Sequence, residues 1–220
     1  IFLEELGVPF QLLLVDRSRN AQRSPAYLQL NPNGLIPVLV DGDAVVYETP
    51  AILLHLADTH PHSALMPALG TPERANAYKW LVWLSNTVQT TLVQYFYAER
   101  YVPSDGVADF RARAEARLSP LLDQIEVQLQ TSGGPWLLGT SYTAVDCMAF
   151  VLCCWTRNLS RPANSLPAIA AYLQRMRQRP AVQRGRMVNR VFGDLSHQLR
   201  ERHDANDFDT KTQDKIEAAS

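Results

Sequence analysis

NPNGLIPVLVDGDAVVYETPAILLHLADTHP, residues 31–61, is the stretch on which the fold of this chain turns. Two short apolar runs, Ile36–Val40 and Ala44–Tyr47, flank Asp41-Gly42-Asp43. An Asp-Gly between apolar runs predicts a β-hairpin, because Gly accepts the positive φ that a tight turn demands. Glu48-Thr49-Pro50 follows at once, then Ala51, Ile52, Leu53, Leu54, Leu56 and Ala57. Thr49 reads as a helix N-cap and Pro50 as the first helical residue, where its missing N–H costs nothing. The segment is a hairpin feeding directly into a helix.

Its local chemistry has two readings. Pro37 cannot donate to a ladder, which leaves the backbone of Ile36 beside it free for another partner. About two strand widths away lies a helix N-terminus with unsatisfied N–H groups and partial positive charge. Glu48 adds a carboxylate there, and the Thr49 hydroxyl can both accept and donate. A helix end that takes a carboxylate, beside a carboxylate that takes an ammonium, suits the amino-acid end of a peptide. Ile36 could hold the same peptide by strand addition. The alternative is that Glu48 and Thr49 merely start a helix, and local physics favours neither.

Taken together, N-P-x-G-x-I-P-V-L, a short hairpin, and E-[ST]-x-A-I-x-x-x-L resemble the glutathione-binding half of the glutathione transferases. Asn31, Pro32, Gly34, Ile36, Pro37, Val38, Leu39, Glu48, Thr49, Ala51, Ile52 and Leu56 carry the resemblance. It implies a cis Ile36–Pro37 bond, Ile36 on the cysteinyl backbone of glutathione, and Glu48 and Thr49 on its γ-glutamyl end.

Outside that stretch the chain is ordinary in composition. Its 220 residues, 46% hydrophobic and 20% charged, suffice for one large domain or two small ones. A net charge of −1 supplies no field for nucleic acid or an anionic membrane, and no apolar run approaches a membrane span. Cys147, Cys153 and Cys154 share one apolar stretch, a placement that suits buried inert thiols and a reducing cytoplasm. His55, His60 and His62 form a loose triplet without a carboxylate or thiol partner in sequence, read as surface residues and not as a metal site.

In chain order, Ile1–Leu6 reads as the end of an amphipathic helix stopped by Gly7 and Pro9, and Phe10–Val15 as a buried strand. Residues 17–24 read as a surface loop, Ala26–Leu30 as a helical turn. Residues 61–72 carry Pro61, Pro67, Gly70 and Pro72 and read as a linker. Thr71-Pro72-Glu73 then caps a helix running to about Tyr101, long enough to predict a kink. Val107, Phe110, Ala114, Leu118, Leu121, Ile125 and Leu129 form one apolar stripe, ended by Gly133-Gly134-Pro135. Thr143-Ala-Val-Asp146 is a capping box opening an almost wholly apolar helix through Trp155, the predicted core of the helical part. Residues 166–192 read as two short helices whose arginines, Arg175 to Arg190, form a solvated face. From His203 the polar composition predicts a disordered tail.

The order helix, strand, loop and hairpin-helix resembles a thioredoxin-like half domain without its first strand. The same S/T-x-x-D box opens the central helix of the transferases, so the resemblance extends over both halves. The implied architecture is an α/β thioredoxin-like, glutathione-binding domain over 1–60, lacking its first strand here. A linker over 61–72, an all-α helical bundle over 73–202 and a tail over 203–220 complete it. The implied activity is attack of a glutathione thiolate on a small electrophile. Glutathione is the co-substrate, no metal is needed, and the assembly is a cytoplasmic homodimer. The alternative is a non-catalytic transferase-like interaction module. The family's Tyr, Ser or Cys that polarises the thiol belongs to the end of the first strand, placing it upstream of Ile1, on roughly 8–16 further residues. No residue of this sequence is therefore nominated as catalytic. Leu35 stands where many relatives have Lys or Gln, and Gln89 where one bacterial class has His. Asn86, Gln89, Phe96 and Tyr97 are the candidates for the electrophile pocket.

Overall fold

The computed structural model describes residues 1–185. Helix α1, Phe2–Leu6, stops at Gly7, whose φ of 68° is the left-handed cap a glycine tolerates. The segment predicted as a buried strand, Phe10–Val15, forms none. Leu12 and Leu13 are about half exposed and no ladder reaches them. A strand exists only by pairing, and among the described residues this one has no partner. Its apolar side chains turn elsewhere: Phe10 and Leu12 line the cleft described below.

Ser24 caps α2, Pro25–Leu30, by accepting from Tyr27 N at 3.2 Å. Strands β1, Val38–Asp41, and β2, Ala44–Tyr47, pair antiparallel with Val38 opposite Tyr47, and Gly42 makes the turn at φ 56°. The ladder begins two residues later than the apolar run, after the cis Ile36–Pro37 bond. The chain then enters α3, Thr49–Thr59, which buries Leu53, Leu56 and Ala57. His55 of α3 sits 2.8 Å from Asp41 of β1, tying helix to hairpin at the surface.

The connection to the helical part is itself anchored. Leu65 and Met66 are buried, and the Leu65 carbonyl accepts from Ala144 N at 2.9 Å. Arg74, only 4% exposed, donates to Asp58 at 2.5 Å and to the Pro67 carbonyl at 3.0 Å. Thr71 caps α4, Pro72–Trp83, through Arg74 N. The predicted kink is a π-helical segment, Leu84–Gln89, followed by α5, Thr90–Phe96, so the helical run ends five residues short of Tyr101. Just past it the Thr90 side-chain hydroxyl donates to the carbonyl of Ser85 inside the π segment at 3.2 Å.

Helix α6, Val107–Thr131, buries Ala114, Leu118, Leu122, Ile125 and Leu129. Leu122 thus replaces the predicted Leu121 on the inner face. Helix α7, Ala144–Trp155, is central and packs against α3, α4, the π segment and α8, Pro167–Gln178, beyond which residues 180–185 are again helical. Its capping box is present. Asp146 accepts from Thr143 N at 2.9 Å and from the Thr143 hydroxyl at 3.3 Å, and its other oxygen takes Leu137 N at 3.0 Å. Cys147 and Cys153 are buried and Cys154 half-buried, and none of the three is in a disulfide.

Arg177 and Arg184 of the arginine run are exposed as expected of a solvated face, but Arg175 and Arg179 are partly buried and several of the run are tied to remote partners. Arg179 pairs with Glu5 of α1 through two bonds of 2.6 and 2.8 Å, and its guanidinium lies 3.7 Å over the Tyr142 ring. Arg184 pairs with Glu4, and Arg175 donates to the Pro135 carbonyl beside Trp136. These acidic and aromatic partners lie far away in sequence, where the local spacing of the arginines gives no hint of them. Arg186, Arg190 and the predicted tail lie outside the described residues. Among the described residues no helix is long and apolar enough to cross a membrane, and no three His, Cys, Asp or Glu side chains are grouped to hold a metal.

Candidate functional site

The loop before β1 is held from beneath. The Leu35 carbonyl accepts from Asn31 Nδ2 at 2.7 Å and from the Tyr27 hydroxyl at 2.8 Å. Asn31, 2% exposed, also takes Asn33 N on its own carbonyl oxygen at 3.0 Å. Gly34 has φ 60°, and a Cβ there would stand 2.9 Å from the Gln22 carbonyl. Asn at 31 and Gly at 34 are thus required by buried bonding and by contact. The consequence is that Ile36 projects, 46% exposed, with its own N–H and C=O outside the ladder.

At the other end of the hairpin the structure corrects the cap. The N-cap of α3 is Glu48, not Thr49, with φ 72° and ψ 115°, and its carbonyl accepts from Ile52 N at 3.0 Å. The chain must reverse out of β2 within one residue, and it does so by placing Glu48 in a conformation that L-residues disfavour. No side chain caps this helix, so the first-turn N–H groups are left to a ligand or water. Thr49 is the first helical residue.

Ile36, Pro37 and Thr49 come together on one wall of a cleft of about 420 Å³. Gln89 of the π segment and Met148, Val151 and Trp155 of α7 line the same cleft. Of the other candidates, Glu48 and Asn86 are exposed and do not line it. Phe96 meets Trp155 edge-on with centroids 6.4 Å apart. Tyr97 stands outside, its hydroxyl accepting from Arg17 at 2.9 Å. Sequence reasoning assigned α7 wholly to the core and so missed its contribution. Val151, 37% exposed, breaks the all-round burial predicted for that helix. Cys147 also borders the cleft, but burial pushes its thiol up to about 12, and it bonds Tyr142 at 2.8 Å. It is no thiolate at neutral pH.

Comparison with known proteins identifies the family. Residues 1–59 match the family model "Glutathione S-transferase, N-terminal domain", and residues 88–184 match "Glutathione S-transferase, C-terminal domain". The chain belongs to the glutathione S-transferase family. Among curated relatives, glutathione S-transferase GST-4.5 of Xanthomonas campestris pv. campestris is 31% identical over 171 residues, 77% of this chain and 81% of the relative. Disulfide-bond oxidoreductase YghU of Escherichia coli K12 is 31% identical over 236 residues, 98% of this chain and 78% of the relative. Among solved structures, a Sulfitobacter glutathione transferase homologue with bound glutathione superposes with a TM-score of 0.77 at 25% identity. The match covers 86% of this chain and 90% of that one.

Proposed function

We propose that this protein binds glutathione along Ile36–Pro37, with the γ-glutamyl end at Glu48 and Thr49, and directs its thiolate at a small electrophile. The observation that carries the reading is the union of the Ile36–Pro37 loop and the open end of α3 on one cleft. In the reaction the glutathione sulfur bonds to the electrophilic carbon, and the leaving group departs with the bonding pair. A free thiol has a pKa near ~8.5, and lowering it by two units takes about 2.7 kcal/mol of preferential thiolate stabilisation. The electrophile would lie against Gln89 and the α7 wall, with Asn86, Phe96 and Tyr97 behind it. The proposal includes a cytoplasmic homodimer, residues 1–60 as the glutathione-binding domain, and residues 73–202 as the helical one.

A second reading rests on YghU and on YfcG of E. coli K12, also named a disulfide-bond oxidoreductase and 30% identical over 190 residues. Here the thiolate attacks a disulfide sulfur in place of carbon, a mixed disulfide forms as the original S–S bond breaks, and the other sulfur leaves as a thiolate. Calorimetric titration of glutathione, followed by assays with a benzyl halide and with a small disulfide, separates the possibilities. Binding with turnover of the halide is expected. Turnover of the disulfide alone favours the second reading. Absence of glutathione binding overturns both and leaves the interaction module.

A further inference from the structure

Beside Phe96, which packs on the cleft residue Trp155, two cations converge on the Tyr97 side chain. Arg17 Nη2 donates to the Tyr97 hydroxyl at 2.9 Å, and the Arg100 guanidinium lies 4.0 Å from the centre of the same ring. Arg19, Arg74, Arg111, Arg113, Arg161, Arg179 and Arg184 each pair with a carboxylate. Arg17 and Arg100, like Arg23, Arg117, Arg157, Arg175 and Arg177, are in no ion pair among the described residues, but these two share one partner, the Tyr97 side chain. The acids nearest in sequence are committed elsewhere: Glu99 to Arg111 at 3.4 Å, and Asp16 to Ser18 at 2.6 and 2.9 Å and Arg19 at 3.6 Å.

Both backbones are set. Arg17 opens a short 3-10 turn capped by Asp16, and Arg100 closes one whose Ala98 is fully buried. Phe96, one residue before Tyr97, packs on Trp155 of the cleft wall, and Leu12 on the chain leading to Arg17 lines the cleft. The Arg17–Tyr97 hydrogen bond joins the segment after α1 to the helical half.

We propose that Arg17 and Arg100, gathered on Tyr97, form an anion subsite that selects electrophiles carrying a carboxylate. The inference rests on the glutathione reading above. A carboxylate placed between two guanidiniums that lack acidic partners gains charge-assisted bonds without breaking an existing ion pair. Tyr97, singled out as a substrate contact, acts instead as the post on which the cations are mounted. The same chemistry could serve the carboxylates of glutathione itself, and the test separates the two.

Calorimetry on the full chain would compare glutathione, S-(p-carboxybenzyl)glutathione and its p-methoxycarbonyl ester, for wild type, Arg17→Gln and Arg100→Gln. These conjugates are the products of thiolate displacing halide from the corresponding benzyl halides, so binding is read without turnover. The acid should bind about tenfold tighter than the ester in wild type, as expected for one charge-assisted contact. Either variant should remove most of that preference and leave glutathione affinity within about twofold, and added salt should weaken it. Arg17→Lys should restore part of it. Equal binding of acid and ester overturns this inference alone, as does a preference that survives both variants. Loss of affinity for all three ligands together in the variants assigns the cations to glutathione instead. No binding of any of the three to wild type overturns the glutathione reading and this inference with it.

Discussion

At the scale of single residues, Glu48 sets a carboxylate on a strained backbone at the start of α3. Its φ of 72° is one that a glycine adopts freely and a glutamate does not. A fold needing only the turn would be served by glycine, so the carboxylate is what the position supplies beyond geometry. Glu48→Gly should therefore leave stability within about 0.5 kcal/mol of wild type, or raise it, since relieved strain offsets added chain entropy. Glutathione affinity should fall by roughly tenfold or more with the loss of a charge-assisted contact. Titration calorimetry alongside urea denaturation checks both halves, and unchanged affinity would reduce Glu48 to a turn residue. Thr49→Ala should likewise weaken binding. Its stability cost should be below the ~1 kcal/mol of a lost N-cap, because Thr49 is inside the helix.

At the scale of elements, α7 is the pivot, and its start depends on Asp146. That side chain is fully buried and satisfies Leu137 N, Thr143 N and the Thr143 hydroxyl, joining the turn after α6 to the helix. Asp146→Ala strands two buried N–H groups, each worth about 1–3 kcal/mol, so a loss of about 3–5 kcal/mol in urea unfolding is expected. Burial pushes this carboxyl up to about 6 despite those donors. A folded-state value above the unfolded one means the group's contribution is fully present below about pH 4 and is lost as pH rises through 6. The stability gap between wild type and Asp146→Asn should accordingly shrink from pH 4 to pH 7, by on the order of 2–3 kcal/mol. A gap independent of pH would show that the donors hold the carboxylate charged throughout.

At the scale of the whole molecule, α1 and the C-terminal end of α8 are clamped together. Glu5 and Arg179 stand 174 positions apart in sequence yet make a bidentate pair, with the Glu5 side chain only 10% exposed and Arg179 stacked on Tyr142. A partly buried bidentate pair is worth more than an exposed one. In a double-mutant cycle with Glu5→Gln and Arg179→Gln, a coupling energy of about 1–2 kcal/mol is expected from chemical denaturation. A coupling near zero would mean that α1 is held by Phe2 and its apolar neighbours alone.

What the sequence determined by itself is the set of features closed within a few residues. The hairpin turn at Gly42, the Thr71 cap, the Thr143–Asp146 box and the Gly7 stop all appear where local chemistry put them, because each is satisfied by partners within about four positions. The Ile36–Pro37 loop and the open helix end were legible for the same reason. What only the tertiary structure decided concerns partners remote in the chain. Phe10–Val15 has a strand's composition, but strand formation depends on a neighbouring strand and not on composition. Thr49 has a cap's chemistry, but the exit from β2 moved the cap to Glu48. The α7 wall, the clamp of Arg179 on Glu5 and the two arginines on Tyr97 exist only because packing brings distant segments within a few ångströms. A side chain's local spacing sets which face of its element it occupies, while the neighbours that face meets are set by how the elements pack.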